Sequence, residues 1–245
     1  MVRETVFTAA IAGLVAALAL TILQIVWVTP LILQAETYEQ PAASGDVDAH
    51  EHSHEHGESG TSAAAHEHHH DAEEWKPQDG WQRTAFTLAA NLLLGFGYAM
   101  ALLAVYLLWR EPRNVAYGAI YGIGGFLVFF LAPSLGLPPE LPGTAAAELI
   151  VRQSWWAMVA VATAAGLLLL FSRVTWKVRA LGLALIVAPH FIAAPQPEMA
   201  GSLAPGTLQS QFRVAATLSN AIFWLLLGLV STAAFRRMMQ GRLAA

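Results

Sequence analysis

The chain has 245 residues, 56% of them apolar and only 12% charged, against about 45–50% and 25% in soluble domains, which argues against a water-soluble globule. It contains no cysteine, which removes disulfides, thiolate metal sites, iron–sulfur clusters and cysteine nucleophiles together. The formal net charge of -4 hides a division, because eight of the nine histidines fall between His50 and His70 among a crowd of acids, while the apolar remainder is mildly basic.

A helix needs about 20 mostly apolar residues to cross the hydrocarbon core of a bilayer. Val6 to Val28 meets this, broken only by Thr8, Thr21 and Gln24, and gives a first transmembrane helix within residues 1–33. Leu33-Gln34-Ala35 loosely resembles a signal-peptide cleavage site, but the apolar run exceeds the roughly 7–15 residues of a signal core, so an uncleaved anchor is expected. Residues 34–82 form a polar, acidic, His-rich loop that cannot bury a core and is expected to be disordered without a ligand. Residues 83–245 form a five-helix region with spans expected at 84–109, 115–134, 155–172, 179–195 and 214–235, of which 179–195 is the shortest. The expected fold is therefore an all-α polytopic membrane protein, a bundle of six transmembrane helices.

Lys and Arg accumulate in loops that stay in the cytoplasm. With Arg3 inside, six crossings also put Arg110, Arg113, Arg173, Lys177, Arg179, Arg236, Arg237 and Arg242 inside, and leave Lys76, Arg83, Arg152 and Arg213 outside. Both termini are then cytoplasmic and the His-rich loop is extracytoplasmic. Without the fifth crossing, Arg236, Arg237 and Arg242 would move outside and the bias would weaken.

His50, His52, His54 and His56 alternate with other residues, and His66, His68, His69 and His70 follow with carboxylates beside them. A flexible chain can wrap several imidazoles around one divalent ion, and the acids attract cations beforehand. The tract is thus expected to bind metal rather than only buffer protons. Imidazole serves cobalt, nickel, zinc and copper alike, so the tract does not name the ion.

Ionisable groups at membrane depth are costly and usually functional, yet they are sparse here. Gln24, Asn91, Asn220 and His190 are the main polar side chains in or near the apolar runs. For Asn91 and Asn220 two roles stand open, interhelical hydrogen bonding and a place on an ion path. His190 follows Pro189 and precedes Pro195-Gln196-Pro197-Glu198, where broken backbone could free carbonyls toward a cavity. With Glu198 it makes a candidate ion port, the alternative being a histidine hydrogen-bonded at the interface. Arg83, Arg152 and Arg213 each precede an even-numbered helix, which hints at a parallel repeat between helices two and six but also fits interfacial snorkelling. Glu148 and Arg152 stand four apart and pair locally by default, and Gly118 and Gly122 read as close helix packing. No phosphate-binding loop, zinc-hydrolase or nucleophile-elbow motif occurs, nor a basic, aromatic-interleaved face for nucleic acid, so the chain reads as no enzyme and no nucleic-acid binder.

Four segments carry a resemblance over nearly the whole length: Asp79-Gly80-Trp81-Gln82-Arg83-Thr84, the run from Phe129 to Gly143 with its Pro-Pro-Glu-Leu-Pro-Gly core, Arg152-Gln153-Ser154-Trp155-Trp156, and Pro189-His190-Phe191-Ile192-Ala193-Ala194-Pro195. In these the chain resembles the probable cobalt transporter subunit family, CbtA. The resemblance implies cobalt uptake for cobalamin synthesis across a prokaryotic plasma (inner) membrane, often beside a small single-span His-rich subunit, CbtB. It also implies five spans, one fewer than the charge argument. Glu140, in the proline-stiffened loop, then becomes a candidate for holding a cation at an entrance, the bland alternative being a cap over the bundle. A membrane protein that binds or senses metal for a partner without transporting it is the competing reading of the whole chain.

Overall fold

The computed structural model describes residues 2–44, 77–109, 111–112, 114–172, 175–199 and 201–243. Among them the chain is helical, with no strand beyond an isolated bridge between Thr144 and Ser202. Helix α1 (Val2–Leu23) passes through a π turn, Gln24–Val28, into α2 (Thr29–Ser44). Then come α3 (Trp81–Leu108), α4 (Ala116–Phe126) with a second π turn, Leu127–Leu131, and the short α5 (Ala132–Ser134). The series ends with α6 (Leu149–Leu170), α7 (Trp176–Val187) closing in a 3-10 turn, Ala188–Phe191, and α8 (Gly206–Leu243).

Both π turns have the same cause. Proline has no N–H, and its ring clashes with the carbonyl four residues back. Immediately before Pro30, Thr29 N–H reaches back five residues to Gln24 O, and immediately before Pro133, Ala132 N–H reaches Leu127 O in the same way. One widened turn takes up the ring without ending the helix. The first helix therefore continues well past the expected boundary at residue 33. Gln34–Ser44 is polar yet rich in Ala, Gln and Glu, which favour helix as readily as loop.

Glycines hold the helices in three close pairs. A Cβ on Gly95 of α3 would stand 2.7 Å from the carbonyl oxygen of Gly13 in α1, and one on Gly166 of α6 would stand 2.6 Å from Gly182 O in α7. Gly118 and Gly122 of α4 bring their backbone against Gly228 and Trp224 of α8, so the small-residue pair packs helices as expected. Where α4 gives way to its π turn, Trp224 stacks on Phe129, ring centroids 5.5 Å apart, and Tyr98 of α3 lies 4.6 Å from the same indole. Helices α1, α3, α4 and α8 form the main bundle. The α6–α7 hairpin joins it through α5 and the second π turn.

One end, here the base, carries the start of α1 and the end of α8. Thr8 in α1 reaches Met238 Sδ in α8 at 3.6 Å, Tyr106 Oη shares hydrogen bonds with Ser231 and Thr232, and Arg236 donates to Pro112 O at 3.0 Å. At the opposite end, the rim, Ala145 N donates to Gly201 O and Leu203 N to Gly143 O. Gln209, near the start of α8, accepts from Leu141 N and donates to Pro139 O. The loops before α6 and before α8 thus meet at the rim, and α7 runs antiparallel to α6 to bring the chain there.

Among the described residues five helices are long and apolar enough to cross a membrane: Val2–Glu39, Trp81–Leu108, Ala116–Ser134, Leu149–Leu170 and Gly206–Gly241. The segment expected at 179–195 is not among them, because Pro189 turns its end into 3-10 and Ile192 onward is extended. Outward faces are apolar, with Leu93 75% and Val161 70% exposed, which suits lipid and not water. Few buried polar atoms lack a partner. One is Ser219 Oγ in α8, so Ser219→Ala is expected to leave thermal stability in detergent unchanged or raise it by up to about 1 kcal/mol, since it removes a desolvated hydroxyl.

Candidate functional site

At the rim, α2 and the start of α3 hold a charged cluster. Arg83 reaches both Glu36 oxygens, Nη1 to Oε1 at 2.9 Å and Nη2 to Oε2 at 3.3 Å, while Nη2 also meets Asp79 Oδ1 at 2.7 Å. Such a two-pronged contact fixes direction as well as distance. Two carboxylates against one guanidinium leave the cluster net negative, so it attracts cations. The exposed Asp79 and the half-buried Glu36 and Arg83 keep it open to water.

Beneath the cluster lies a cavity of about 360 Å³, lined by Gln24, Val28, Thr29, Ile32, Pro77, Arg83 and Thr87. The first π turn forms one wall, and Gln24 is its opening residue. Farther in, Asn91 of α3 is 4% exposed and its Nδ2 donates to Gln24 Oε1 at 2.6 Å and to Thr21 Oγ1 at 2.9 Å. Thr21 Oγ1 in turn donates a hydrogen bond to Ala17 O at 2.8 Å. Oxygen and amide groups therefore line the α1–α3 seam from Glu36 down to Ala17. Below them the Gly13–Gly95 approach closes it.

Asn91 cross-links two helices, as one of its expected roles required. Asn220, by contrast, donates to Ala216 O one turn back in its own helix at 3.0 Å, so the two asparagines of the suggested repeat do different things. Arg152 points its Nη2 at Glu140 Oε2, 3.6 Å away, rather than serving only the local pairing with Glu148. Arg83 is ion-paired rather than simply snorkelling. His190 sits half-buried on the 3-10 turn with its ring edge-on to Trp155, centroids 6.4 Å apart, and Glu198 is exposed on the following loop. Among the described residues no three His, Asp or Glu side chains gather closely enough to hold a metal, so His190, Glu140 and Glu198 do not form a ligand set. His50, His52, His54, His56, His66, His68, His69 and His70 lie outside the described residues. Pro77, in the stem that leads out of that tract, lines the cavity beside Arg83.

Glu36, Thr29 and Thr87 escaped the reading of the sequence. The signal that could have found Glu36 is Arg83 itself, since a cation at the head of an apolar helix calls for a carboxylate on a neighbour.

With five membrane-length helices among the described residues, apolar outward flanks and a polar seam at one end, the chain is a multi-pass membrane protein. Its residues 2–236 match the family model of the probable cobalt transporter subunit, CbtA. The chain belongs to that family, which makes cobalt its expected cargo and transport rather than catalysis its expected role. No curated protein and no solved structure matches it.

Proposed function

We propose that this chain is a membrane subunit for the uptake of cobalt across a prokaryotic plasma membrane. In this reading the His-rich loop lies outside, captures the divalent ion on His50 to His70, and passes it to the rim of the helical bundle. The observation that carries the reading is the continuity between the stem of that loop and the net-negative Glu36–Arg83–Asp79 cluster above the Gln24–Asn91 seam. Carboxylate, amide and hydroxyl oxygens are acceptable successive ligands for a divalent ion that imidazoles have collected. π turns within helices are frequent at functional sites, and the one that opens at Gln24 lines the rim cavity.

The orientation follows from charge. Arg3, Lys177, Arg179, Arg236 and Arg237 belong to the base and Arg83, Arg152 and Arg213 to the rim, and the side richer in Lys and Arg stays cytoplasmic. Helix α7 with its 3-10 turn reaches about 26 Å, close to the roughly 30 Å of a hydrocarbon core, so it completes a sixth crossing with both termini inside. A small single-span His-rich subunit of the CbtB kind is the partner in this reading. His190, Glu140, Glu198 and Asn220 remain candidates for the lower-affinity steps of the path.

Deleting residues 46–71 tests the capture step. Radioactive cobalt uptake by cells expressing the deleted chain is expected to fall about tenfold at limiting metal and to recover at saturating metal, because only local concentration is lost. Equal uptake at limiting metal contradicts capture by the loop. His190→Ala is expected to slow uptake at all metal concentrations while leaving cobalt binding by the purified protein intact. Normal uptake by that variant removes His190 from the path.

A further inference from the structure

Gln209, near the start of α8 and 8% exposed, uses both ends of its amide on the proline loop: Oε1 accepts from Leu141 N at 3.1 Å and Nε2 donates to Pro139 O at 3.2 Å. Pro138, Pro139 and Pro142 have no N–H to give, so this stretch cannot pair along its length with a neighbouring strand, and a side-chain amide takes the strand's place. The two bonded groups flank Glu140, so one residue of α8 fixes the backbone on both sides of that carboxylate.

What Gln209 thereby fixes is the seat of α2. Leu141, 2% exposed, packs in one cluster with Val28 and Ala35 of the first helix and with Ala204, Leu208 and Phe212 around the start of α8. Val28 also lines the rim cavity, as does Ile32, which packs against the same cluster. Ala35 immediately precedes Glu36. One turn farther along α2, Glu39 lies against the loop: a Cβ on Gly143, whose φ is +71°, would stand 3.1 Å from Glu39 Oε1.

Helix α2 depends on this seat. It packs on the start of α8, and it meets α3 through the Glu36 and Arg83 side chains. An ion pair open to water is too weak to place a helix by itself, so the direction of Glu36 is set where α2 rests on Leu141 and the Gly143 turn.

From these contacts we infer that Gln209 is a positioning residue for the rim site: through Leu141 it seats α2 so that Glu36 meets Arg83 in its two-pronged contact above the cavity, and it thereby sets the affinity with which the rim takes up a divalent cation. Gln209 itself lines neither the cavity nor the ion-paired cluster.

This role rests on the proposed entry of metal at the rim, so one arm of its test does not depend on uptake. Gln209→Met keeps the length and volume of the side chain and removes both hydrogen bonds. In cells expressing the full chain, with rates referred to folded protein, it is expected to raise the KM for cobalt about tenfold and to leave the maximal rate unchanged, as Glu36→Gln is also expected to do, because attraction at the entry is what is lost. Both substitutions act through one carboxylate, so the double variant is expected to be no worse than either single one. A residue that only supported the fold would lower the maximal rate or the yield of folded protein, and its effect would add to that of Glu36→Gln. Leu141→Ala trims the same contact from its other end and carries the test if Gln209→Met does not fold.

The second arm uses the absence of cysteine from the chain. Spin labels on Thr37→Cys in α2 and Trp81→Cys at the head of α3, both exposed positions, report the distance between the two helices in purified protein. Gln209→Met is expected to broaden that distance distribution. An unchanged distribution, an unchanged KM or an additive loss in the double variant overturns the positioning role. A broadened distribution in a protein that transports no cobalt even without substitution supports the seating of α2 and overturns the uptake reading instead.

Discussion

Gly228→Leu is expected to yield no folded protein. Any Cβ at this position collides with the carbonyl oxygen of Gly118 and stands 2.7 Å from Gly122 N, and both obstacles are helix backbone that no rotamer change can move. Opening the α4–α8 contact would also unstack Trp224 from Phe129 and draw Tyr98 off the same indole. Overpacking on this scale exceeds the 4–5 kcal/mol that marks the far tail of single substitutions, set against about 5–15 kcal/mol of total stability. Size-exclusion chromatography in detergent should return aggregate, and Gly228→Ala should fail nearly as badly, since the first carbon already collides. Gly97→Leu provides the contrast. Nothing lies within 4 Å of a Cβ there, so that variant is expected to fold and to gain up to about 1 kcal/mol from helix propensity. A well-folded Gly228→Leu would mean that α4 and α8 do not approach as described.

The second large effect is expected at Asn91. Its amide makes two hydrogen bonds across the α1–α3 seam, and Gln24 Oε1 has its partner there. Asn91→Leu removes both bonds, a loss of about 1–2 kcal/mol on the scale of interhelical hydrogen bonds in membranes. A denaturant titration in micelles measures that loss. Uptake should suffer more than stability, because the substitution sets an apolar side chain in the polar seam. A fall of about tenfold in cobalt uptake corresponds to about 1.4 kcal/mol added to the barrier. Lost stability with unaltered uptake would confine Asn91 to helix packing.

The apolar runs were legible because a membrane demands an uninterrupted stretch about 20 residues long, and Val6 to Val28 or Val214 to Phe235 cannot be read otherwise. Hydropathy reads poorly where a helix leaves the hydrocarbon. Residues Gln34–Ser44 and Leu149–Ser154 are helical but too polar or too short of apolar continuity to be included, so α1–α2 and α6 both exceed their expected bounds. The two π turns were hidden because proline in an apolar run signals a break, and only the backbone reveals a widened turn instead. Gly118 and Gly122 announced helix packing correctly, though their partner, Gly228, lies more than a hundred residues on. Long-range pairing also concealed the site. Arg83 and Glu36 are separated by the whole His-rich segment, and no local spacing connects them. What drew the eye in the sequence, the histidines of the tract, lies outside the described residues, while the rim site is made of an arginine, two carboxylates and neutral amides.

The central claim is that cobalt crosses the bilayer through this chain after capture outside. Purified full-length protein in proteoliposomes, loaded with a cobalt-quenched dye and exposed to external cobalt, tests it most directly. The account predicts quenching faster than in empty vesicles, slowed about tenfold by Asn91→Leu. Quenching no faster than in empty vesicles, with cobalt still bound by the protein, would contradict it and assign the chain to gathering metal for another subunit.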